Sequence, residues 1–337
     1  MRRRLLTPLL AAVLLVAGLS LAGCGGDGDG LVVYSGRSEN LVGPLYERFE
    51  RETGIDLEVR YGSSTDLALL LGEEGDRTPA DVFVSQSPGS VAYLDGRDLL
   101  SPLPQGVLDR VPSALRDPEG RWVGVTGRQR VLVYNPDQVD ADDLPASVRD
   151  LTGEAFRGRV AVAPSNASFQ DFVTAMRQTD GDDAAQTWLR GMRDNGARVY
   201  ANNVSIVDAV ARGEVPMGLV NHYYVFQKRR ENPDLNVEIH RFAGGDIGSL
   251  FLISTASIPA PTDRREDAQR LVEFLLGPEA QRVFAQEDFE YPVVQGVSTA
   301  EGVPPLETLD LPTYRFGRLA DLQRTAEVIR ASGIDAG

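Results

Sequence analysis

The chain has one cysteine and two histidines among 337 residues. A single thiol forms no intrachain disulfide, and Cys/His zinc spacings have too few members to be built. Glycine-rich phosphate loops, GxSxG elbows and internal repeats are absent, which removes the commonest nucleotide and serine-hydrolase signatures. Basic residues are in the minority, 34 against 49 acidic, for a formal charge of −15. The Arg2–Arg4 cluster belongs to an N-terminal leader; without it 31 basic residues face 49 acidic ones, a charge of −18. Such a surface repels nucleic-acid phosphates, so no nucleic-acid partner is expected. Beyond Leu5–Leu21 there is no second long apolar run, so the chain past the leader is not expected to span a membrane.

Arg2–Arg4, the apolar Leu5–Leu21 and the small residues before Cys24 form a charged, a hydrophobic and a cleavage region. Residues 1–23 are therefore expected to be a secretory signal. Leu21-Ala22-Gly23-Cys24 resembles the lipobox of bacterial lipoproteins, which implies a lipid attached at Cys24. Residues 24–30 contain GGDGDG and read as a flexible tether. The expected location is extracytoplasmic, lipid-anchored to the bacterial cell membrane. About 310 remaining residues exceed one ordinary core, so two lobes are expected.

Leu31–Tyr34 reads as a strand, Glu39–Thr53 as an amphipathic helix and Ile55–Tyr61 as an alternating strand. Ser63–Glu74 reads as a capped helix, and Pro79–Val84 as a third strand. This alternation predicts an α/β architecture with a mainly parallel sheet. Trp122–Tyr134 and Ile247–Ser257 are candidates for strands that cross between lobes. Ala155–Ala163 reads as a strand entering the polar turn Pro164–Ser168. Helices are expected over Ala184–Asp194 and Val204–Arg212, over Arg264–Gln286 with a break at Gly277-Pro278, and around Leu319–Ser332.

The most informative stretch is Gly213–Gln227, GEVPMGLVNHYYVFQ. An apolar strand over Val215–Val220 ends at Asn221, a good helix cap, and Tyr223 and Tyr224 fall on the first helical turn. Ligands bind at that end of a strand in an open α/β sheet. A phenolate is a hard anionic oxygen that suits a highly charged cation such as ferric iron. Only a strongly polarising ion holds a phenol deprotonated at neutral pH, since free tyrosine has a pKa of about 10. His222 adjoins the pair, but a helix turns each successive side chain by about 100°, so it points elsewhere if the phenols face a cleft.

YSGRSE near the start, PADVF, GRQRVLVYNP over Gly127–Pro136, NHYY, and EYPV from Glu290 together resemble the extracytoplasmic ferric-iron-binding proteins of ABC importers, the bacterial transferrins. The resemblance covers about residues 31–300. It implies a two-lobe periplasmic-binding-protein (type II) fold, with a hinge of crossing strands and an inter-lobe cleft. Lobe 1 would comprise residues 31–125 and 254–305, and lobe 2 residues 126–253 and 306–337. A monomer is implied that delivers ferric iron to an ABC permease and its ATPase, with no catalysis. Tyr223 and Tyr224 would ligate the metal.

Two positions depart from the family. Many relatives have a histidine after the first strand and a glutamate after the third; here these positions hold Ser38 and Gln86. Carbonate, phosphate or a citrate-like chelate would then complete the iron shell. Ser165, Asn166, Ala167, Asn203 and Asn221 would hold that anion, with Arg128 and Arg130 adding charge-assisted bonds. A binding protein for another small anion, a polyamine or an organic cofactor fits the same fold. A surface-anchored hydrolase is the alternative from another class; no His-supported nucleophile motif speaks for it.

Overall fold

The computed structural model describes residues 30–336 apart from Ala243, Thr313 and Arg315. The expected leader at 1–23, Cys24 and the tether up to Asp29 lie outside the described residues.

Three strand–helix units open the described chain: β1 (Leu31–Ser35), α1 (Glu39–Thr53), β2 (Leu57–Tyr61), α2 (Ser64–Glu74), β3 (Val82–Ser85) and α3 (Pro88–Asp95). The apolar face of α1 buries Val42, Leu45, Tyr46 and Phe49 at helical spacing. It stops at Gly54, whose φ of 71° supplies the left-handed cap. The Ser63 side chain accepts the Asp66 N–H and caps α2, a contact worth about 1 kcal/mol. β1 lies between β2 and β3 and pairs parallel with both.

Short elements β4 (Leu100–Ser101) and α4 (Gln105–Leu108) lead to β5 (Trp122–Tyr134), 13 residues and about 40 Å long. Its first part pairs antiparallel with β10 (Phe251–Pro259), and its last part with β8 (Met217–Asn221) and β9 (Glu238–His240). β6 (Val160–Val162) and β7 (Arg198–Val199) extend that second side by parallel pairing, while β10 also pairs with β3 on the first side. The order along the sheet is β2-β1-β3-β10-β5-β8-β6-β7. β5 and β10 therefore carry the chain out of the first half and back. Gly127 on β5 permits the crossing, because a Cβ there would collide with the Phe251 ring.

Around the second half lie α5 (Ala167–Asp180), α6 (Asp182–Asp194), α7 (Asn203–Ala211) and α8 (Tyr223–Glu231). The chain then forms α9 (Arg265–Leu275), α10 (Pro278–Gln286), β11 (Tyr291–Pro292), which pairs with β5, and α11 (Leu322–Ser332). A turn at Phe316–Ala320 packs on α3, whereas α11 packs on α5 and α6. Arg177 of α5 fixes that tail by donating to Asp321 and Thr325.

The sheet is mixed rather than mainly parallel, because the crossing strands β5 and β10 pair antiparallel with every partner they have among the described strands; two expected boundaries also change, and one helix is unexpected. The strand expected over Ala155–Ala163 is confined to Val160–Val162, because Gly158 takes a φ of 69° and turns the chain. The return crossing starts at Phe251 and not at Ile247; Ile247–Ser249 is a helical turn whose start is capped by Asp246. α3 has no counterpart in the sequence pattern: it is short and buried on nearly every side, so it has no polar face to set a period.

Candidate functional site

β8 is fully buried and delivers Asn221 and His222 to the start of α8. Asn221 does not cap the helix as expected. It is the last residue of β8, and His222 occupies the cap position with helical φ and ψ and no side-chain capping bond. The Asn221 side chain faces the crossing strand instead, where Oδ1 accepts from Arg130 Nη1 at 3.1 Å and Nδ2 donates to Ser168 Oγ at 3.1 Å.

Tyr223 and Tyr224 follow on the first turn of α8, their ring centroids 4.2 Å apart. Tyr223 is wholly buried and Tyr224 half-buried. Burial, then the adjacent Tyr224 and Glu290, push the Tyr223 phenol well above its ordinary value, while Arg128 opposes the shift. The phenol therefore keeps its proton at neutral pH unless a cation displaces it.

His222 is consumed by the backbone. Nδ1 accepts the Gln129 N–H at 3.2 Å, and Nε2 lies 2.9 Å from the Phe289 carbonyl oxygen. These partners select the neutral tautomer protonated at Nε2. Burial, and then the charge of Arg241, lowers its pKa to about 3.

Arg128 and Arg130 are buried on β5, not on the surface. Arg128 donates to Ser168 Oγ, Ser254 Oγ and the Gln86 carbonyl, so it joins β5, α5, β10 and the loop after β3. Arg130 donates to Asn203 Oδ1 at 3.3 Å and to Asn221. Burial, then its neighbour Arg128, lowers the Arg130 pKa to about 9. Asn203 is buried and its Nδ2 has no partner among the described residues, a costly state for an amide donor.

A cleft of about 540 Å³ separates Ser38, Tyr61, Ser64 and Gln86 on one side from Ser165, Asn166 and Ala167 on the other. Asn166 caps α5 by accepting the Ser168 N–H, so this wall is the start of a helix, where backbone N–H groups and the helix dipole favour an anion. The phenols do not line this cleft directly; Gln86 connects the two, its Nε2 donating to Tyr223 Oη at 3.2 Å. The candidate residues thus fall into two neighbouring groups: Asn221, Asn203, Arg128 and Arg130 in one buried network, which reaches Tyr223 through Gln86, and Ser165, Asn166 and Ala167 at the cleft wall.

Residues 77–316 match the model of a family described as bacterial extracellular solute-binding proteins. The chain belongs to that family. This solute-binding protein is 32% identical over 310 residues to an "Fe(3+)-binding periplasmic protein" of Serratia marcescens, covering 91% of each chain. Its fold matches that of iron-bound HitA from Pseudomonas aeruginosa with a TM-score of 0.86 and 32% identity, over 90% of this chain and 99% of HitA. A Trichodesmium IdiA/FutA structure with iron and citrate ligands matches with a TM-score of 0.76 and 27% identity, over 91% and 99%. The solute-binding protein accordingly has the two-lobe fold and a transport role rather than an enzymatic one, which sets aside the hydrolase.

Sequence reading leaves several residues without a role. Ser87 donates to Asp171 across the two halves at 2.6 Å, and burial raises the Asp171 pKa to about 6. Arg37 donates to Glu290 at 2.8 Å, both wholly buried. Arg37 and Glu290 sit inside YSGRSE and EYPV, but nothing in those strings says that they meet.

Proposed function

We propose that this protein captures ferric iron outside the cytoplasm and passes it to an ABC permease with its ATPase. The observation that carries the reading is the adjacent phenol pair at the start of α8, backed by two buried guanidinium groups. Tyr223 and Tyr224 act as phenolate ligands, for which a trivalent ion supplies the driving force that burial opposes. Two phenolates leave ferric iron short of donors, and carbonate, phosphate or a citrate-like anion completes the shell. Ser165, Asn166 and Ala167 hold that anion through the helix start, Asn203 offers its unpartnered amide, and Asn221, Arg128 and Arg130 support the network. The relatives named for Fe(3+) binding and for iron with citrate support this ligand class.

In this reading residues 31–125 and 254–305 form one lobe, and 126–253 and 306–337 the other, closing by hinge motion along β5 and β10. The chain works as a monomer held at the membrane by a lipid on Cys24. The test loads purified protein with ferric citrate, desalts it and measures bound metal. One iron per chain, with a visible phenolate-to-iron band, is expected. Retention of an organic ligand with no iron would transfer the site to the small-molecule reading.

A further inference from the structure

The loop after β3 meets the phenols through one side chain. Gln86 is held at both backbone atoms: its N–H donates to Ser64 Oγ at 2.9 Å, and its carbonyl accepts from Arg128. Its amide then donates to Tyr223 Oη at 3.2 Å. The bond crosses from the first half of the fold to the second. The amide nitrogen that donates this bond has no lone pair for a metal, and the neutral amide oxygen is a weaker ligand for a trivalent ion than a carboxylate. From the same loop a carboxylate would bring a ligating oxygen, whereas Gln86 brings an N–H group aimed at the ligand oxygen.

We infer that Gln86 is a positioning residue, which orients Tyr223 through its phenol oxygen and couples the β3 loop to the cargo without touching the metal. This rests on the ferric reading above. The coupling has a defined path: Ser64 and Arg128 fix the Gln86 backbone, and Arg128 is itself tied to Ser168 on α5 and Ser254 on β10. Movement of one half against the other would therefore make or break the Gln86–Tyr223 contact, so iron release from the phenolate is linked to opening. The remaining wall on that side includes the hydroxyl-bearing residues Ser38 and Tyr61, a composition that suits hydrogen bonding to a bound oxyanion.

The test compares wild type with Gln86→Met, which keeps the side-chain volume and removes the donor, and with Gln86→Ala. Each is loaded with ferric citrate, scanned in the visible, and challenged with excess chelator. A hydrogen bond to a phenolate oxygen lowers the energy of its donor electrons, so losing it moves the phenolate-to-iron band to longer wavelength. Both variants are expected to keep bound iron and show that shift, with release faster by about 10-fold or more, the usual scale for an outer-shell partner. A band and release rate equal to wild type in Gln86→Met would overturn the inference. So would loss of bound iron in a variant with unchanged thermal unfolding, because Gln86 would then be a ligand. A wild type with no band at all removes the ferric reading itself, and with it this role; a wild-type band that ignores Gln86 removes only the role.

Discussion

His222 and Phe289 are joined by a 2.9 Å contact between imidazole Nε2 and a backbone carbonyl, which ties the start of α8 to the segment between α10 and β11. The other ring nitrogen accepts the Gln129 N–H of β5. One neutral imidazole thus satisfies two backbone groups, and its proton balance enters the stability of the fold.

Because burial lowers the His222 pKa to about 3, an unfolded chain takes up a proton that the folded one refuses. The contribution is fully present above the unfolded value of about 6.5 and is lost as pH falls from there toward 3. Asp171, raised to about 6 by burial, acts in the opposite direction between its unfolded value of about 4 and 6. The two are separated by comparing wild type with His222→Phe in urea unfolding at several pH values. The variant should lose about 1–3 kcal/mol at neutral pH, from two stranded backbone groups, and have a flatter decline below pH 6.5. Equal declines would show that His222 titrates normally in the folded protein.

Gly127 should be intolerant of a side chain. Its Cβ would meet the Phe251 ring, which is also packed edge-on against Tyr291 at 5.6 Å. Gly127→Val is expected to cost about 1–3 kcal/mol and to lower the urea midpoint. An unchanged midpoint would mean that the crossing of β5 and β10 has slack.

Much of the fold can be read from the residues because its signals are local. Glu39–Thr53 carries its apolar period openly, Ser63 marks the start of α2, and Gly277-Pro278 marks the break between α9 and α10. β5 is legible as a long apolar and polar run, but its sharing between two sets of partners is a long-range fact. The site divides the same way. Tyr223 and Tyr224 announce themselves by chemistry and position, whereas the Arg130–Asn203–Asn221 network joins residues up to 91 positions apart. Asn221 reads as a cap because its preference for helix starts is local, and the buried guanidinium beside it is not.

The anion cradle predicts a selective loss. Asn203→Leu removes the amide donor and one of the two Arg130 acceptors together. Iron binding in carbonate or phosphate buffer should fall by about 10-fold or more, toward the level seen without added anion. An anion dependence like that of wild type would exclude Asn203 from the cradle.

The anchor is testable in cells. Cys24→Ser removes the proposed attachment point, and membrane-associated protein should move to the soluble extracytoplasmic fraction or accumulate unprocessed. Stable attachment needs more than one acyl chain, so even partial acylation should show as release. Fractionation identical to wild type would rule out lipid at Cys24.

A ferric titration of Tyr223→Phe, Tyr224→Phe and the double variant decides whether the two phenols hold the iron. Each phenolate must give up a proton to bind, so wild-type iron affinity should fall as pH is lowered, steeply because burial holds the Tyr223 proton. Each single variant should lose much of the visible band and most of the affinity, and the double variant should show neither band nor bound iron. Full colour and full iron content in the double variant would mean that the iron is held elsewhere.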